Sequence, residues 1–266
     1  MIKAIAVDMD GTFLNSSNDY NRERFEKLFN EIQKQNIQFI VASGNQYAQL
    51  RSFFPEKEQE MTFVSENGAL VFKQDQLIQK TAFKADVVDR VLQFLWDLPF
   101  PVGIVLCGVS QAYILESESA EFKSFAKKYY YQLAEVSSFS SLPENEFVKF
   151  ALNVAAEKTE ELVHYANRYF LNEVVAVSSG HGDVDLIIPG IHKGQAVQKL
   201  LDKWQVNTSE LLAFGDGDND LEMLKLTDES YAMKNGSKNV LETAKYTAAS
   251  NDEDGVLTII ESYLYA

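Results

Sequence analysis

Short, β-rich and mostly apolar runs alternate along the chain with stretches in which apolar side chains return every three or four positions. Residues 2–7 form the first run, the pattern of a strand buried on both faces. Over 21–35, Phe25, Leu28, Phe29 and Ile32 fall on one face of a helix. Residues 37–42 predict a second buried strand, 46–54 a short helix that Pro55 stops, and 61–64 a third strand. A β-α-β-α-β order of this kind builds a parallel sheet with helices on both faces. The far end repeats it. Ala196, Val197, Leu200, Leu201 and Trp204 share a helical face over 193–204, strands fall at 211–214, 230–233 and 246–249, and helices at 218–226 and 256–264.

Between these halves the pattern changes. Residues 102–107 and 111–115 are strand runs joined by a short turn that contains Gly108. Residues 174–178 and 184–188 are two more, joined by Ser179, Gly180, His181 and Gly182. Both read as hairpins, hence antiparallel pairing. Helices over 118–131 and 157–170 and a strand over 147–155 complete the segment. The expected fold is α/β: a parallel-sheet domain made of residues 1–82 and 187–266, interrupted by an inserted α+β domain of residues 83–186.

Composition narrows the function. The chain has 266 residues, room for two domains, with 46% apolar and 24% charged residues. A formal net charge of −15 repels nucleic acid and anionic membrane surfaces, so neither is an expected partner. A phosphorylated small molecule would need local positive charge to bind. The lone cysteine, Cys107, allows no intrachain disulfide and sits in an apolar run, so it reads as a buried structural thiol. The N-terminal apolar stretch is too short for a signal peptide and no 18-residue apolar run occurs, so the expected compartment is the cytoplasm.

Four motifs carry candidate chemistry. Asp8, Asp10, Gly11 and Thr12 follow the first strand; Ser43, Gly44 and Asn45 follow the second; His192 and Lys193 open a helix; and residues 215–220, with Asp216, Asp218, Asn219 and Asp220, follow a late strand. Alone, each has an ordinary reading as a turn or a surface charge. The last motif also fails as an EF-hand loop, with Leu221 where Gly and Thr227 where Glu is required. Together, at strand ends, they describe one pocket at the carboxyl edge of a parallel sheet.

Phosphoryl transfer needs a nucleophile, a hard cation and positive charge around the phosphoryl oxygens. Asp8 can be the nucleophile. Asp8 and Asp216 can hold Mg²⁺. Lys193 adds a positive charge, and Ser43, Asn219 and the backbone N–H groups around Gly11 and Gly44 can bind phosphate oxygens. Asp10 suits general acid and base work, and Asp220 a supporting role behind Lys193 or a metal-bound water. Counting Asp8, Asp216, Lys193 and Mg²⁺ puts the site one positive unit above neutrality with the cation and one negative unit below it without. Asp218 reads as a solvated turn residue, and His164 and His192 as structural. Tyr129, Tyr130 and Tyr131 read as packing, and His181, in a Gly-flanked hairpin tip, is the candidate substrate contact of the inserted domain.

These motifs, in this order and across the whole chain, resemble the haloacid dehalogenase (HAD) superfamily and its Cof-type (subclass IIB) phosphatases; residues 41–56 are nearest to a bacterial sugar phosphatase of that group. The resemblance rests also on Glu66-Asn-Gly-Ala and Asp185-Leu-Ile-Ile-Pro-Gly. It implies a Rossmann-like catalytic core with an inserted cap that sets specificity. It implies Asp8 as nucleophile and metal ligand, Asp10 as acid and base lending its backbone carbonyl to Mg²⁺, Asp216 as a further metal ligand, Ser43, Lys193 and Asn219 on the phosphoryl group, and Asp220 in support. Asn45 stands where many members carry Arg, so substrate contacts there are expected to differ. The expected activity is Mg²⁺-dependent hydrolysis of small phosphomonoesters, sugar phosphates above all. Its alternatives are a sugar phosphomutase and a non-catalytic sugar-phosphate sensor.

Overall fold

Ala4–Val7 (β1) is wholly buried, as are four of the five residues of Gln38–Ala42 (β2), because such runs are covered on both faces of a sheet. In the computed structural model, which describes residues 1–143, 146–180 and 182–265, these two strands lie at the centre of the larger of two sheets. The chain continues through Thr62–Ser65 (β3), Leu70–Lys73 (β4) and Gln76–Lys80 (β5). It then forms Gly103–Gly108 (β6), Ala112–Leu115 (β7), Leu133–Val136 (β8), Phe147–Asn153 (β9), Val175–Gly180 (β10) and Asp183–Ile187 (β11). It ends with Leu211–Gly215 (β12), Ser230–Met233 (β13) and Tyr246–Ala248 (β14).

The larger sheet has the order β14-β13-β12-β1-β2-β3-β4-β5, and the smaller β10-β11-β9-β6-β7-β8. The larger is parallel from β14 to β3, with β4 and β5 added antiparallel at one edge. The fold is α/β, a parallel-sheet core with an α+β insertion, as the alternation of patterns implied. Both expected hairpins form, β6 with β7 and β10 with β11. Elsewhere the insertion departs from a purely antiparallel scheme: β8 pairs parallel to β7, reached through the helix Ala120–Tyr129.

Alternation along each central strand sends side chains to two cores. Ile5, Val7, Phe39, Val41, Leu212 and Phe214 join the helices Arg22–Lys34 and Gly255–Leu264 on one face. Ala4, Ala6, Ile40, Ala42, Leu211 and Ala213 join Lys193–Trp204 on the other. Small residues on this second face admit the helix that carries Lys193. The first core is aromatic: Phe25 sits 5.1 Å from Phe13, 5.4 Å from Tyr20 and Phe39 and 5.8 Å from Phe54, centroid to centroid. Phe25→Ala is expected to cost about 3–5 kcal/mol through lost burial and the cavity left behind, read as a lower urea midpoint at unchanged slope.

In the smaller sheet, the helices Ala85–Trp96 and Thr159–Phe170 cover one face around Val91, Phe150, Leu162 and Leu186. The other face carries Val105, Cys107, Ile114 and Val148 toward Leu70 of the larger sheet, with Cys107 fully buried as expected. No helix among the described residues is long and apolar enough to cross a membrane.

Candidate active site

β1 lies between β12 and β2. Asp8 leaves the end of β1, Ser43 the end of β2 and Asp216 the end of β12, so three adjacent parallel strands deliver three of the four motifs to one edge. Connections run to opposite sides of β1, and loops that diverge in this way leave a crevice at the strand ends.

The fourth motif enters from the second face. Lys193, the first residue of its helix, is fully buried, and its Nζ donates to Asp8 Oδ1 at 2.6 Å and to Asp220 Oδ1 at 2.7 Å. Asp220 Oδ2 accepts from the backbone N–H groups of Asp216 and Gly217, each at 3.1 Å. Both Asp220 oxygens are therefore engaged, which fits a group that aims Lys193. Thr12 Oγ1 donates to Asp216 Oδ1 at 2.7 Å. Gly11 has φ 74°, and a Cβ there would lie 2.3 Å from Asp216 Oδ2. Only glycine lets the loop after β1 close onto Asp216.

Crowding shapes the electrostatics. Carboxylate oxygens of Asp8, Asp216 and Asp220 lie within 4.8 Å of one another. Burial first, then Asp8, pushes Asp216 up to about 8 and Asp220 up to about 6. Burial opposes the charge on Lys193, but Asp220 and Asp8 outweigh it and raise its pKa. Burial and Asp8 likewise raise Asp10 to about 6, against the pull of Asn45, whose Nδ2 donates to Asp10 Oδ2 at 2.6 Å. Hard oxygen donors that raise one another's pKa fit a small divalent cation, whose charge would offset their repulsion. Because Asp220 is buried with Lys193, its charge cancels the lysine's. The balance with a divalent cation is thus near neutral, one unit below the count from sequence.

Asp8, Asp10, Ser43, Gly44, Asn45, Asp216 and Asn219 all line one cavity of about 320 Å³, whose opposite wall belongs to the smaller sheet. Ser43 is buried, and its Oγ accepts from Asn45 N–H at 3.1 Å. Asp218 is exposed, as expected of a turn residue, and accepts from Ser237 Oγ at 2.6 Å and Asn239 Nδ2 at 2.8 Å, bracing the start of the helix Lys238–Thr243. One expectation changes: Tyr129 and Tyr130, read as packing, both line the cavity, Tyr129 half-buried and Tyr130 buried. His192 is structural: its Nδ1 caps its helix by accepting from Gln195 N–H at 3.1 Å. His181 lies outside the described residues.

A second polar cluster escaped the motif reading. Lys149, on β9, is buried, with its Nζ 2.5 Å from the Gly44 carbonyl, 2.9 Å from Glu66 Oε2 and 3.5 Å from Asp185 Oδ2. Asn67 Nδ2 donates to Asp185 Oδ2 at 2.6 Å, and Asn219 Nδ2 to Asn67 Oδ1 at 3.2 Å. A polar chain thus runs from the loop after β12 across to β9 and β11. The signal was present: a lysine inside the apolar run Phe147-Val-Lys-Phe cannot be buried without an acidic partner. Lys149→Met would strand Glu66, whose pKa burial already raises. We expect a loss of about 3–5 kcal/mol in chemical denaturation, partly recovered by adding Glu66→Gln.

Residues 5–260 match the family model described as haloacid dehalogenase-like hydrolase. The chain is 41% identical over 263 residues to the 5-amino-6-(5-phospho-D-ribitylamino)uracil phosphatase YbjI of Escherichia coli (strain K12), covering 99% of this chain and 96% of that one. It is 26% identical to YitU of Bacillus subtilis (strain 168), which bears the same activity name, over 97% of this chain and 96% of that one. The crystal structure of SMU.1108c from Streptococcus mutans UA159 superposes with a TM-score of 0.96 at 39% identity, and each chain is covered in full.

Proposed function

The chain belongs to the haloacid dehalogenase-like hydrolases and is a phosphatase, and from that premise we propose that it hydrolyses small sugar or polyol phosphomonoesters through an aspartyl phosphate on Asp8, with Mg²⁺ as cofactor. The observation that carries this reading is the convergence of Asp8, Asp10, Ser43, Asp216 and Asn219 on the wall of one cavity, with Lys193 buried against Asp8. In this reading residues 83–186 are a cap on a core made of residues 1–82 and 187–266.

An Asp8 oxygen attacks phosphorus, and the bond to the leaving oxygen breaks as Asp10 delivers its proton there. Ser43, Asn219 and Lys193 hold the phosphoryl oxygens. Asp10, now a carboxylate, takes a proton from water, which attacks phosphorus. Phosphate departs, and the Asp8 carboxylate is restored. Asn45 fixes the Asp10 carboxyl through its 2.6 Å hydrogen bond, in place of reaching toward the substrate. Magnesium, held by Asp8, Asp216 and the Asp10 backbone carbonyl, would supply charge neutralisation at the phosphoryl group.

The test is phosphate release from a panel of sugar and polyol phosphates, before and after exhaustive chelation. Release is expected to vanish on chelation and return with added Mg²⁺. Release that survives complete removal of divalent cations would overturn the cofactor assignment. A more particular reading comes from the two relatives named as 5-amino-6-(5-phospho-D-ribitylamino)uracil phosphatases. That compound is a phosphorylated polyol carrying an aminouracil, and it belongs on the panel.

A further inference from the structure

Ser43, Gly44 and Asn45 form the loop that follows β2 into the cavity. Within it, Ser43 Oγ accepts from Asn45 N–H, which leaves the hydroxyl proton for a phosphoryl oxygen, and the Asn45 side chain holds Asp10. What fixes the loop comes from outside it. The carbonyls of Ser43 and Asn45 accept from the backbone N–H groups of Asn67 and Glu66, at 3.1 and 3.2 Å. The carbonyl between them, that of Gly44, accepts from Lys149 at 2.5 Å. Three successive carbonyls are thus held, two by the turn after β3 and one by the smaller sheet.

That turn has an unusual backbone. Glu66 and Asn67 have φ of 49° and 56°, the left-handed region, which Asn enters readily and Glu only at a cost. Such a conformation persists where its surroundings over-determine it. Here both residues are committed twice. Their N–H groups take the loop carbonyls, and their side chains take the insertion: Glu66 Oε2 lies 2.9 Å from Lys149 Nζ, and Asn67 Nδ2 donates to Asp185 Oδ2 at 2.6 Å. Burial works against the charge on Lys149, but Asp185 and Glu66 outweigh it and hold its pKa well above the usual lysine value. Lys149 therefore stays a cation. Its three N–H donors face three acceptors, the Gly44 carbonyl, Glu66 and Asp185, so it lines the cavity with none to spare for substrate.

We propose that Lys149 and the turn of Glu66 and Asn67 are positioning residues for phosphoryl transfer, through which the insertion holds the loop of Ser43, Gly44 and Asn45 against the phosphoryl group, whatever the leaving group. This rests on the phosphatase reading above. Lys149 anchors the peptide that joins Gly44 to Asn45, and the N–H of that same peptide orients Ser43 Oγ. A cation on its carbonyl polarises the peptide and strengthens the N–H as a donor. Loss of Lys149 therefore loosens Ser43 at the phosphoryl group and Asn45 at Asp10 together.

The experiment measures kcat/KM, with Mg²⁺ present, for ribose 5-phosphate and for acetyl phosphate, whose small leaving group offers the insertion little to grip. It also measures the inhibition constant of orthovanadate, which occupies a phosphoryl site with no leaving group at all. The variant is Lys149→Met with Glu66→Gln, assayed below its melting transition. Both substrates are expected to lose about 10- to 100-fold in kcat/KM, and vanadate to bind more weakly by a similar factor. A loss on ribose 5-phosphate alone, with vanadate unchanged, would make Lys149 a leaving-group contact and overturn the inference. Wild-type values throughout, in the folded variant, would make the cluster purely structural and overturn it as well. Asn67→Gly keeps the question open to test should the double variant not fold: glycine adopts φ 56° freely, and only the side-chain bonds to Asp185 and Asn219 are lost. It is expected to lose about tenfold on both substrates, and no loss would overturn the inference. All of these outcomes leave the phosphatase reading standing. No phosphate release from either substrate by the wild type would overturn that reading, and this inference with it.

Discussion

Asp8→Asn is expected to lower phosphate release by about 10⁴-fold or more, with the fold retained. The amide is nearly isosteric, but its nitrogen cannot close an acyl phosphate. The stability expectation is the unusual part. Asp8 contributes the second-largest upward push on both Asp216 and Asp220, after burial. Removing its charge relieves that repulsion, while Lys193 keeps Asp220 at 2.7 Å. Without divalent cation, the variant should therefore melt at or above the wild-type temperature. Added Mg²⁺ should raise the wild-type melting temperature more than the variant's, because the variant has lost an anionic ligand. Turnover above about 1% of wild type would remove Asp8 from the nucleophile's role.

How much of this was legible depends on the range over which each signal acts. The central strands and the helices packed on them were legible because burial on both faces leaves unbroken apolar runs. The edge strands β4 and β5 were not. Their turn is Gln74-Asp75 with φ 53° and 57°, a two-residue hairpin turn built without Asn or Gly. Tyr47 and Arg51 hold Asp75 at 2.5 and 2.8 Å, so tertiary contacts replace the local turn chemistry. The helix Ala85–Trp96 buries Val87, Val88 and Val91, β-branched residues that blur helix against strand in sequence. Strand β8, Leu133-Ala-Glu-Val, is only half-buried and offers no apolar run.

The site divides in the same way. Its motifs were readable because each follows a strand or opens a helix, where a parallel sheet must gather them. Lys149 and its partners were not, because Lys149 meets the Gly44 carbonyl across 105 positions of sequence and from the other sheet. The site's charge balance was misjudged for a related reason. Asp220 is fully buried on Lys193, and burial, which no motif reports, makes its charge count in full.

That balance makes Lys193 the most consequential cation in the molecule. Lys193→Met would leave Asp8 and Asp220 buried without their partner, and a loss of about 3–5 kcal/mol is expected from breaking such a pair. It should also lower kcat/KM by about 10²–10³-fold, the scale for losing one preorganised charge contact to a developing anion. These effects have different owners, and a second substitution separates them. Asp220 spends Oδ1 on Lys193 and Oδ2 on two backbone N–H groups, leaving neither for substrate. Lys193→Met with Asp220→Asn should therefore recover part of the stability, because one of the two stranded charges is gone, leaving that of Asp8, and an amide oxygen can still accept from the backbone. It should recover none of the activity, because the phosphoryl group still lacks its lysine. Recovery of both would make Lys193 a structural counter-ion that merely positions Asp8, and the phosphoryl contact would pass to Ser43 and Asn219.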